Sequence, residues 1–170
     1  MLEGPLIELR AWQEEDLPTL HALRNDLELQ NLLLTQARPN SMERVRRWLG
    51  DRSTQEHTLF FVIAQRGSGQ CLGYVQLVNM HPLHRTAELG ICLSPDAQGR
   101  GVGREALELL ERYARDVFAL RKIVLQVQAE QGAAEFYRRQ GYREVGRLVE
   151  HVFQNGRYCD VLMMERLLPA

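Results

Sequence analysis

The chain has 170 residues, of which 45% are hydrophobic and 25% charged, and its formal net charge is -1 at pH 7. This length and mixture predict one compact globular domain, residues 1–170, rather than two. The balanced charge excludes a general polyanion binder, because nucleic-acid-binding domains carry a clear basic excess. We therefore expect no nucleic-acid partner.

The cysteines and the N-terminus indicate the compartment. Cys71, Cys92 and Cys159 are odd in number, lie far apart and form no metal-type pair, so neither a disulfide framework nor a zinc site is indicated. The N-terminus has no basic region followed by a long apolar run, and no stretch approaches the ~18 apolar residues of a membrane span. We expect a soluble, unprocessed, cytoplasmic protein without a bound metal or a membrane partner.

The first half of the chain predicts a strand, two helices and three strands. "GPLIELRAW" is typical of a short edge strand, and a helix should run from about Glu14, with leucines at helical spacing as far as Leu27. Ser41 is placed to cap a second helix. From Thr58 two β-rich runs flank a Gly-Ser-Gly turn, and "TAELGICL" is a third strand that ends before Pro95.

The second half predicts a helix, a strand, a short helix and a hairpin. The long helix should run from about Gly103 to Phe118, and "RKIVLQVQ" should follow as a central strand. "QGAAEFYRRQ" indicates a short helix that Gly141 ends, and the pair Asn155-Gly156 predicts a tight turn between two strands. The buried stripe of the long helix should be Ala106, Leu107, Leu110, Ala114 and Val117. The order predicts an α/β (α+β) fold, a mixed central sheet of about seven strands flanked by about four helices.

A glycine-rich stretch, "QGRGVGR", stands at the start of the long helix. Gly99, Gly101 and Gly103 allow backbone amides to converge without obstruction by a Cβ, and a helix N-terminus leaves such amides unpaired. Arg100 and Arg104 add forked donors suited to phosphate oxygens. The stretch predicts a local anion site, and an ordinary strand-to-helix turn with solvated arginines is the alternative.

Two other phosphate motifs fit this stretch poorly. Gly101 to Ala106 matches the dinucleotide pattern G-x-G-x-x-A, but residues 94–98 separate the strand from the glycines. No acid lies about 20 residues further on, where a ribose would need one, and the preceding strands read as an antiparallel meander. The P-loop is excluded because its Gly-Lys-Ser/Thr ending is absent.

The segment Gln98–Gly103 resembles the Q/R-x-x-G-x-G/A motif of the GNAT acyltransferases. "AELGICLSP", "IVLQVQ" and "AAEFYRRQGY" are similar to other segments of that family, in the same order. "YVQLVNMHPLHRTAELGICLSP" and "VEHVFQNGRYCDVLMM" resemble the branch of ribosomal-protein N-terminal and spermidine N-acetyltransferases. The resemblance implies the GNAT acyl-CoA N-acyltransferase fold and transfer of acetyl from acetyl-CoA to a primary amine, on a small molecule or at a peptide N-terminus.

The resemblance also implies which residues bind the cofactor. The loop amides would hold the pyrophosphate of acetyl-CoA, and one strand would pair with the pantetheine arm. The family's usual Asn, about seven residues before its Tyr, is absent; this chain offers Glu130, or Gln131 if one residue has been lost, and Gln131 is our substitute. The cofactor-binding set is Ile91, Cys92, Leu93, Gln98, Gly99, Arg100, Gly101, Val102, Gly103, Arg104, Gln131 and Ala134.

Two side chains are candidates for the proton transfers. An alkylamine with a pKa near 10.4 is neutral in only about one molecule in 2,500 at pH 7, so a base is needed. Glu88 is that candidate, with a solvent-facing glutamate or a pair with Arg85 as the alternative. Tyr137, where the family places a tyrosine beside the coenzyme sulfur, would protonate the leaving thiolate; a core tyrosine is its alternative. Cys92 is more simply a small buried hydrophobe than an acyl-enzyme nucleophile, so direct attack in a ternary complex is predicted.

The acceptor is the part on which the sequence says least. Residues 25–41 should build part of its pocket, where a polycation would need several acids and only Asp26 and Glu28 are available. This counts against a dedicated polyamine enzyme and leaves open a peptide N-terminus or a small amine that carries a carboxylate. His81 and His84 lack a third ligand and are interpreted as exposed loop residues.

Two other functions stay open from the sequence. One is a degenerate GNAT-fold module that binds CoA or a protein partner without turnover, and the other is a dinucleotide-binding oxidoreductase. The family also suggests a homodimer formed through the C-terminal hairpins.

Overall fold

The computed structural model describes all 170 residues and contains one mixed sheet of eight strands. The strands are β1 (Leu2–Glu3), β2 (Ile7–Arg10), β3 (Leu59–Gln65), β4 (Cys71–His81), β5 (Thr86–Leu93), β6 (Lys122–Gln128), β7 (Arg143–Gln154) and β8 (Arg157–Leu167). Their order across the sheet is β1-β2-β3-β4-β5-β6-β8-β7. All neighbours are antiparallel except β5 and β6, which are parallel.

Five α-helices cover the sheet. They are α1 (Leu17–Asn25), α2 (Leu27–Leu32), α3 (Met42–Thr54), α4 (Val102–Phe118) and α5 (Ala133–Arg139), with 3-10 turns at Glu14–Asp16 and Pro95–Ala97. The larger core cluster lies between the sheet and α4 with α5, and the smaller one between the sheet and α1 with α3. The predicted α/β class is confirmed. The additional strand, β1, has two residues and is too short for a periodic signal.

The prediction of a single helix from Glu14 to Leu27 is wrong, because the helix is interrupted at Asp26. The first three residues, Glu14–Asp16, form a 3-10 turn, and α1 ends at Asn25. Asp26 has extended backbone angles, and its carboxylate accepts a hydrogen bond of 3.0 Å from the Leu29 amide as the N-cap of α2. Leu27 is consequently 59% exposed. A carboxylate that satisfies a helix-terminal amide competes with continuation of the preceding helix.

The long helix and the predicted turns agree more closely with the structure. In α4 the stripe residues are buried except Val117, which is 59% exposed; its prediction as a buried residue is wrong because it lies in the last turn. Asn155 and Gly156 both have positive φ, 51° and 80°, as a two-residue hairpin turn of type I′ requires. Gly141 follows α5 with φ 88°, as its predicted capping role requires.

The parallel pairing of β5 and β6 is short. Thr86–Glu88 pairs with residues 122–124, and no pairing between the two strands continues beyond Glu88 and Val124. From that point β5 stays paired with β4 as far as Leu93, while β6 stays paired with β8 as far as Gln128. The two strands therefore separate, and a gap opens in the middle of the sheet.

A buried polar cluster joins α4 to the last two strands. The Tyr142 hydroxyl donates a hydrogen bond of 2.8 Å to Glu111 on α4, and Arg166 on β8 forms an ion pair of 2.8 Å with the same carboxylate. Burial raises the pKa of Glu111, and both partners act against that rise. The cluster fixes the C-terminal hairpin against the central helix.

Candidate active site

The gap between β5 and β6 is the floor of a cleft of about 790 Å³. One wall is Glu88 to Leu93 of β5, and the other includes Gln126 and Val127 of β6. The remaining lining comes from three segments: the glycine loop, α5 and the end of α2. The cleft thus unites stretches that are far apart in the sequence.

The glycine loop has the geometry of an anion site. Gly99 and Gly101 have φ of 70° and 82°, a region that residues with a Cβ seldom occupy. Gly101 is the N-cap of α4, and no side chain caps this helix, so its first amides are left for a ligand. The Gln98 side chain donates 3.2 Å to the Leu93 carbonyl and ties the loop to the end of β5.

Gly103 is required for close packing rather than for its φ. A Cβ at this position would lie 3.2 Å from Cζ of Phe136 and 3.3 Å from Cδ1 of Leu93. The missing Cβ therefore lets the start of α4 approach α5 and the cleft. Phe136 lines the cleft, a role that its helical spacing alone did not distinguish from a core position.

Two arginines line the cleft. Arg104 in α4 pairs with Glu108 at 2.8 Å, and Arg139 in α5 pairs with Glu135 at 3.2 Å. Arg139 was not identified from the sequence, because an arginine near the end of a helix has no distinctive signal. Arg100 is not part of the lining; its guanidinium is exposed and lies 3.5 Å from the Asp96 carbonyl.

Tyr137 lies in α5 and lines the cleft while being only 8% exposed. Burial raises the pKa of its hydroxyl well above the usual value near 10, and no charged group contributes to the shift. The hydroxyl therefore keeps its proton throughout the neutral range. A protonated phenol at this position can donate a hydrogen bond to a ligand in the cleft.

Glu88 is the last residue of β5 that pairs with β6, so it lies where the gap begins, and it lines the cleft. Its side chain is exposed and accepts a hydrogen bond of 3.2 Å from the Asn79 amide. Asn79 has φ 52° at an irregularity of β4 that interrupts the pairing with β5. The alternative pair with Arg85 is absent from the ion pairs of the structure.

The two candidates approach the gap from opposite faces of the sheet. Side chains alternate along a strand, so Glu88 shares a face with Cys92, which packs in the α1–α3 core cluster. Tyr137 belongs to the core cluster on the α4 face. A ligand that passes through the gap would have a carboxylate on one side and a phenol on the other.

Besides Arg100, three of the predicted cofactor residues lie outside the lining of the cleft. Val102 and Ala134 are 5% and 3% exposed within the α4 core cluster. Gln131 is not in the lining, and its buried Oε1 has no hydrogen-bond partner. Glu130, the other substitute for the family's Asn, pairs with Arg157 at 2.6 Å. The amide residues that line the cleft on this side are Gln126 on β6 and Gln140 at the end of α5.

Cys92 lines the cleft, but its thiol has the environment of a packed side chain. The residue is buried, and burial raises the pKa of the thiol to about 12. A thiol of this kind is almost wholly protonated at neutral pH and is a poor nucleophile. An acyl-enzyme on Cys92 is therefore unsupported.

His81 and His84 stack with ring centroids 4.1 Å apart, and the His84 amide donates to Nδ1 of His81. No group of three or more His, Cys, Asp or Glu side chains is arranged to hold a metal ion. None of the helices is both long and apolar enough to cross a membrane.

Residues 7–143 match the Acetyltransferase (GNAT) domain, and the chain belongs to this family. The protein is an acetyl-CoA-dependent N-acetyltransferase that acts on a primary amine, as the resemblance in the sequence implied. The fold, a mixed sheet of eight strands with five helices, is the GNAT fold.

The relatives have different acceptors. Spermidine N(1)-acetyltransferase from Vibrio cholerae is 29% identical over 159 residues, which are 93% of this chain and 91% of that protein. The crystal structure of the Vibrio cholerae spermidine N-acetyltransferase in complex with CoA and spermine matches with a TM-score of 0.89, covering 97% of each chain at 29% identity. L-methionine sulfoximine/L-methionine sulfone acetyltransferase from Pseudomonas aeruginosa is 24% identical over 154 residues, 88% of each protein.

Proposed function

We propose that the protein acetylates its amine by direct attack in a ternary complex, with Glu88 as base and Tyr137 as acid. The observation that carries this proposal is the placement of the two side chains on opposite faces of the sheet, on either side of the gap between β5 and β6. An acyl donor lying in the gap would present one face to the acceptor and the other to the proton donor for its leaving group.

The lining of the cleft suits acetyl-CoA. The uncapped start of α4, with Gly99, Gly101 and Gly103 in the lining, suits the pyrophosphate, and Arg104 adds a positive charge. From Leu93 back to Glu88, five residues of open strand span roughly 17 Å at about 3.4 Å per residue. The backbone of Ile91 and its neighbours can pair with the amides of the pantetheine arm over that distance.

Glu88 would prepare the acceptor. The acceptor arrives as an ammonium ion, and its nitrogen must lose a proton before its lone pair can attack the thioester carbon. The carboxylate takes that proton directly or through one water molecule. The hydrogen bond from Asn79 holds Glu88 at the beginning of the gap, where the reacting end of a donor bound to the glycine loop would lie.

Tyr137 would complete the transfer. Acetyl-CoA supplies the thioester; as the new C–N bond forms, the C–S bond breaks and the sulfur takes the electron pair. Tyr137 donates its proton to that sulfur, which becomes the free thiol of CoA. The nitrogen releases its second proton as the amide forms, and a proton taken up through solvent restores the Tyr137 phenol. Because burial raises its pKa, the phenol is protonated throughout the neutral range.

The test is Tyr137→Phe, assayed by release of CoA in the presence of an amine. General acid catalysis contributes typically about 10²–10⁴-fold, so kcat should fall by that factor while acetyl-CoA still raises the melting temperature. Tyr113→Phe is the matched control, because Tyr113 lies on α4, packs against Phe61 and is outside the cleft lining. Turnover of Tyr137→Phe at the wild-type rate would remove Tyr137 from the mechanism.

We also propose a cytoplasmic location and a homodimer. The three cysteines are free and buried, which suits a reducing compartment.

The strand β7 is an edge of the sheet and exposes Val145, Val149 and Phe153, a surface suited to pairing with a second copy. Light scattering of the wild type and of Val149→Lys tests the dimer: a wild-type monomer would refute it.

A further inference from the structure

The acceptor end of the cleft is apolar and carries a single negative charge. The charged residues of the lining are Glu88, Arg104 and Arg139. Each arginine is paired with a glutamate of its own helix, Arg104 at the start of α4 and Arg139 at the end of α5. Glu88 is thus the one carboxylate in the cleft. The two other acids expected near the acceptor are outside the lining: Asp26 caps α2, and Glu28 is exposed.

Leucines form the wall of the cleft that belongs to α2 and the turn after it. Leu29 packs in the core cluster on the same face of the sheet as Glu88. The members of this leucine wall are Leu29, Leu32, Leu33 and Leu34. An amine bound by Glu88 therefore has hydrocarbon, and no second carboxylate, beside it.

Leu34 is held in this wall by an unusual helix terminus. It has φ 57°, a region that residues with a Cβ seldom occupy. The Leu34 amide donates to the Asn31 carbonyl and the Thr35 amide to the Gln30 carbonyl, both at 3.1 Å. These two bonds form the Schellman motif, whose left-handed position is usually glycine. A leucine at that position makes the backbone conformation less favourable than a glycine would, and it places a side chain in the lining of the cleft.

We propose that the acceptor is a monoamine carried on an apolar body, selected by the leucine wall and by Leu34 in particular. The inference rests on the proposed acetyl transfer and concerns the acceptor alone. Glu88 compensates one ammonium group, and a second one, as in a polyamine, would lie unpaired against the leucines. Burying an unpaired charge in hydrocarbon is strongly unfavourable, so the cleft discriminates against polycations.

A matched pair of amines tests this selectivity. Hexylamine and 1,5-diaminopentane have the same number of non-hydrogen atoms in a linear chain, and they differ by a terminal methyl or ammonium group. With the full-length protein and saturating acetyl-CoA, kcat/KM for hexylamine should exceed that for the diamine by about tenfold or more. Equal values, or a preference for the diamine or for spermidine, would overturn the proposal.

Two variants at Leu34 sharpen the test, since both new residues tolerate a left-handed backbone. Leu34→Asp should raise kcat/KM for the diamine relative to hexylamine, because the wall then carries a second carboxylate. Leu34→Asn, of the same shape but neutral, should lower kcat/KM for hexylamine without favouring the diamine. A Leu34→Asp variant that folds with an unchanged ratio would contradict the role of this wall.

Failure of acetyl transfer is distinguishable from failure of selectivity. If no amine yields CoA, the proposed mechanism fails, and titration calorimetry of the CoA-bound protein still compares the two amines. Tighter binding of hexylamine than of 1,5-diaminopentane would support the monoamine site. Tighter binding of the diamine would refute it whether or not the protein turns over.

Discussion

The two ends of the junction between β5 and β6 differ in almost every respect. At the closed end, Thr86–Glu88 pairs with residues 122–124, and Lys122 and Arg143 both pair with Glu165 beside it. At the open end the strands separate, and the cleft is lined by glycines, leucines and an uncapped helix. The site is therefore built by ending a ladder of hydrogen bonds, because the backbone groups released there are free to bind a ligand.

Among the variants at the two ends of this junction, Glu88→Gln should have the largest effect on activity. The amide is isosteric but cannot take a proton from the acceptor, so kcat/KM should fall about 10²–10⁴-fold. Steady-state assays of CoA release give the value. Asn79→Ala is the companion variant: losing the hydrogen bond that positions Glu88 should lower the rate by a smaller factor. A Glu88→Gln enzyme of normal activity would show that another group is the base.

A valine at Gly101 should damage the open end through the cofactor. The position has φ 82°, which costs a residue with a Cβ roughly 1–2 kcal/mol, so the loop should leave the conformation that presents the first amides of α4 to the ligand. We expect acetyl-CoA affinity to fall at least about tenfold by calorimetry. Gly67→Val provides the control, because Gly67 has φ 88° in a hairpin turn away from the cleft. Normal acetyl-CoA affinity in Gly101→Val would refute the pyrophosphate site.

Tyr142→Phe should lower the free energy of unfolding and leave the cleft intact. The change removes the hydroxyl that donates to the buried Glu111, and an unpaired buried acceptor costs about 1–3 kcal/mol of unfolding free energy. Urea unfolding measures that loss. Acetyl-CoA binding by the folded fraction should stay at the wild-type level, since Tyr142 is outside the cleft lining. A selective loss of binding without a loss of stability would contradict this division.

The smallest expected effect is in the pH profile. Raising the pH increases the neutral fraction of an alkylamine whose pKa is near 10.4, so kcat/KM should rise with pH. A phenol with an ordinary pKa near 10 would lose its proton and bring the rate down again. Because burial raises the pKa of Tyr137, its proton is retained to higher pH, and no falling limb should occur below pH ~10. A descending limb centred near pH ~9 would contradict this role.

The sequence predicted the parts of the site that depend on local backbone chemistry. Positive φ values at Gly99 and Gly101, and the turn at Asn155, follow from residue types that occupy that region. The position of Gln131 and the burial of Ala134 did not follow, because both depend on how α5 is set against the sheet. Leu34 was not identified either, because nothing in the neighbouring sequence indicates that a leucine occupies a helix-terminal position usually taken by glycine.

The parallel contact between β5 and β6 also divides the sheet into two antiparallel groups of strands. Strands β1 to β5 each pair with the next strand along the chain, and β6 to β8 form a second antiparallel group. Only the short pairing of residues 86–88 with 122–124 joins these groups within the sheet, and it requires α4 as a crossover. A coenzyme bound across this junction would contact both groups of strands. Its binding should therefore slow amide hydrogen exchange in both groups.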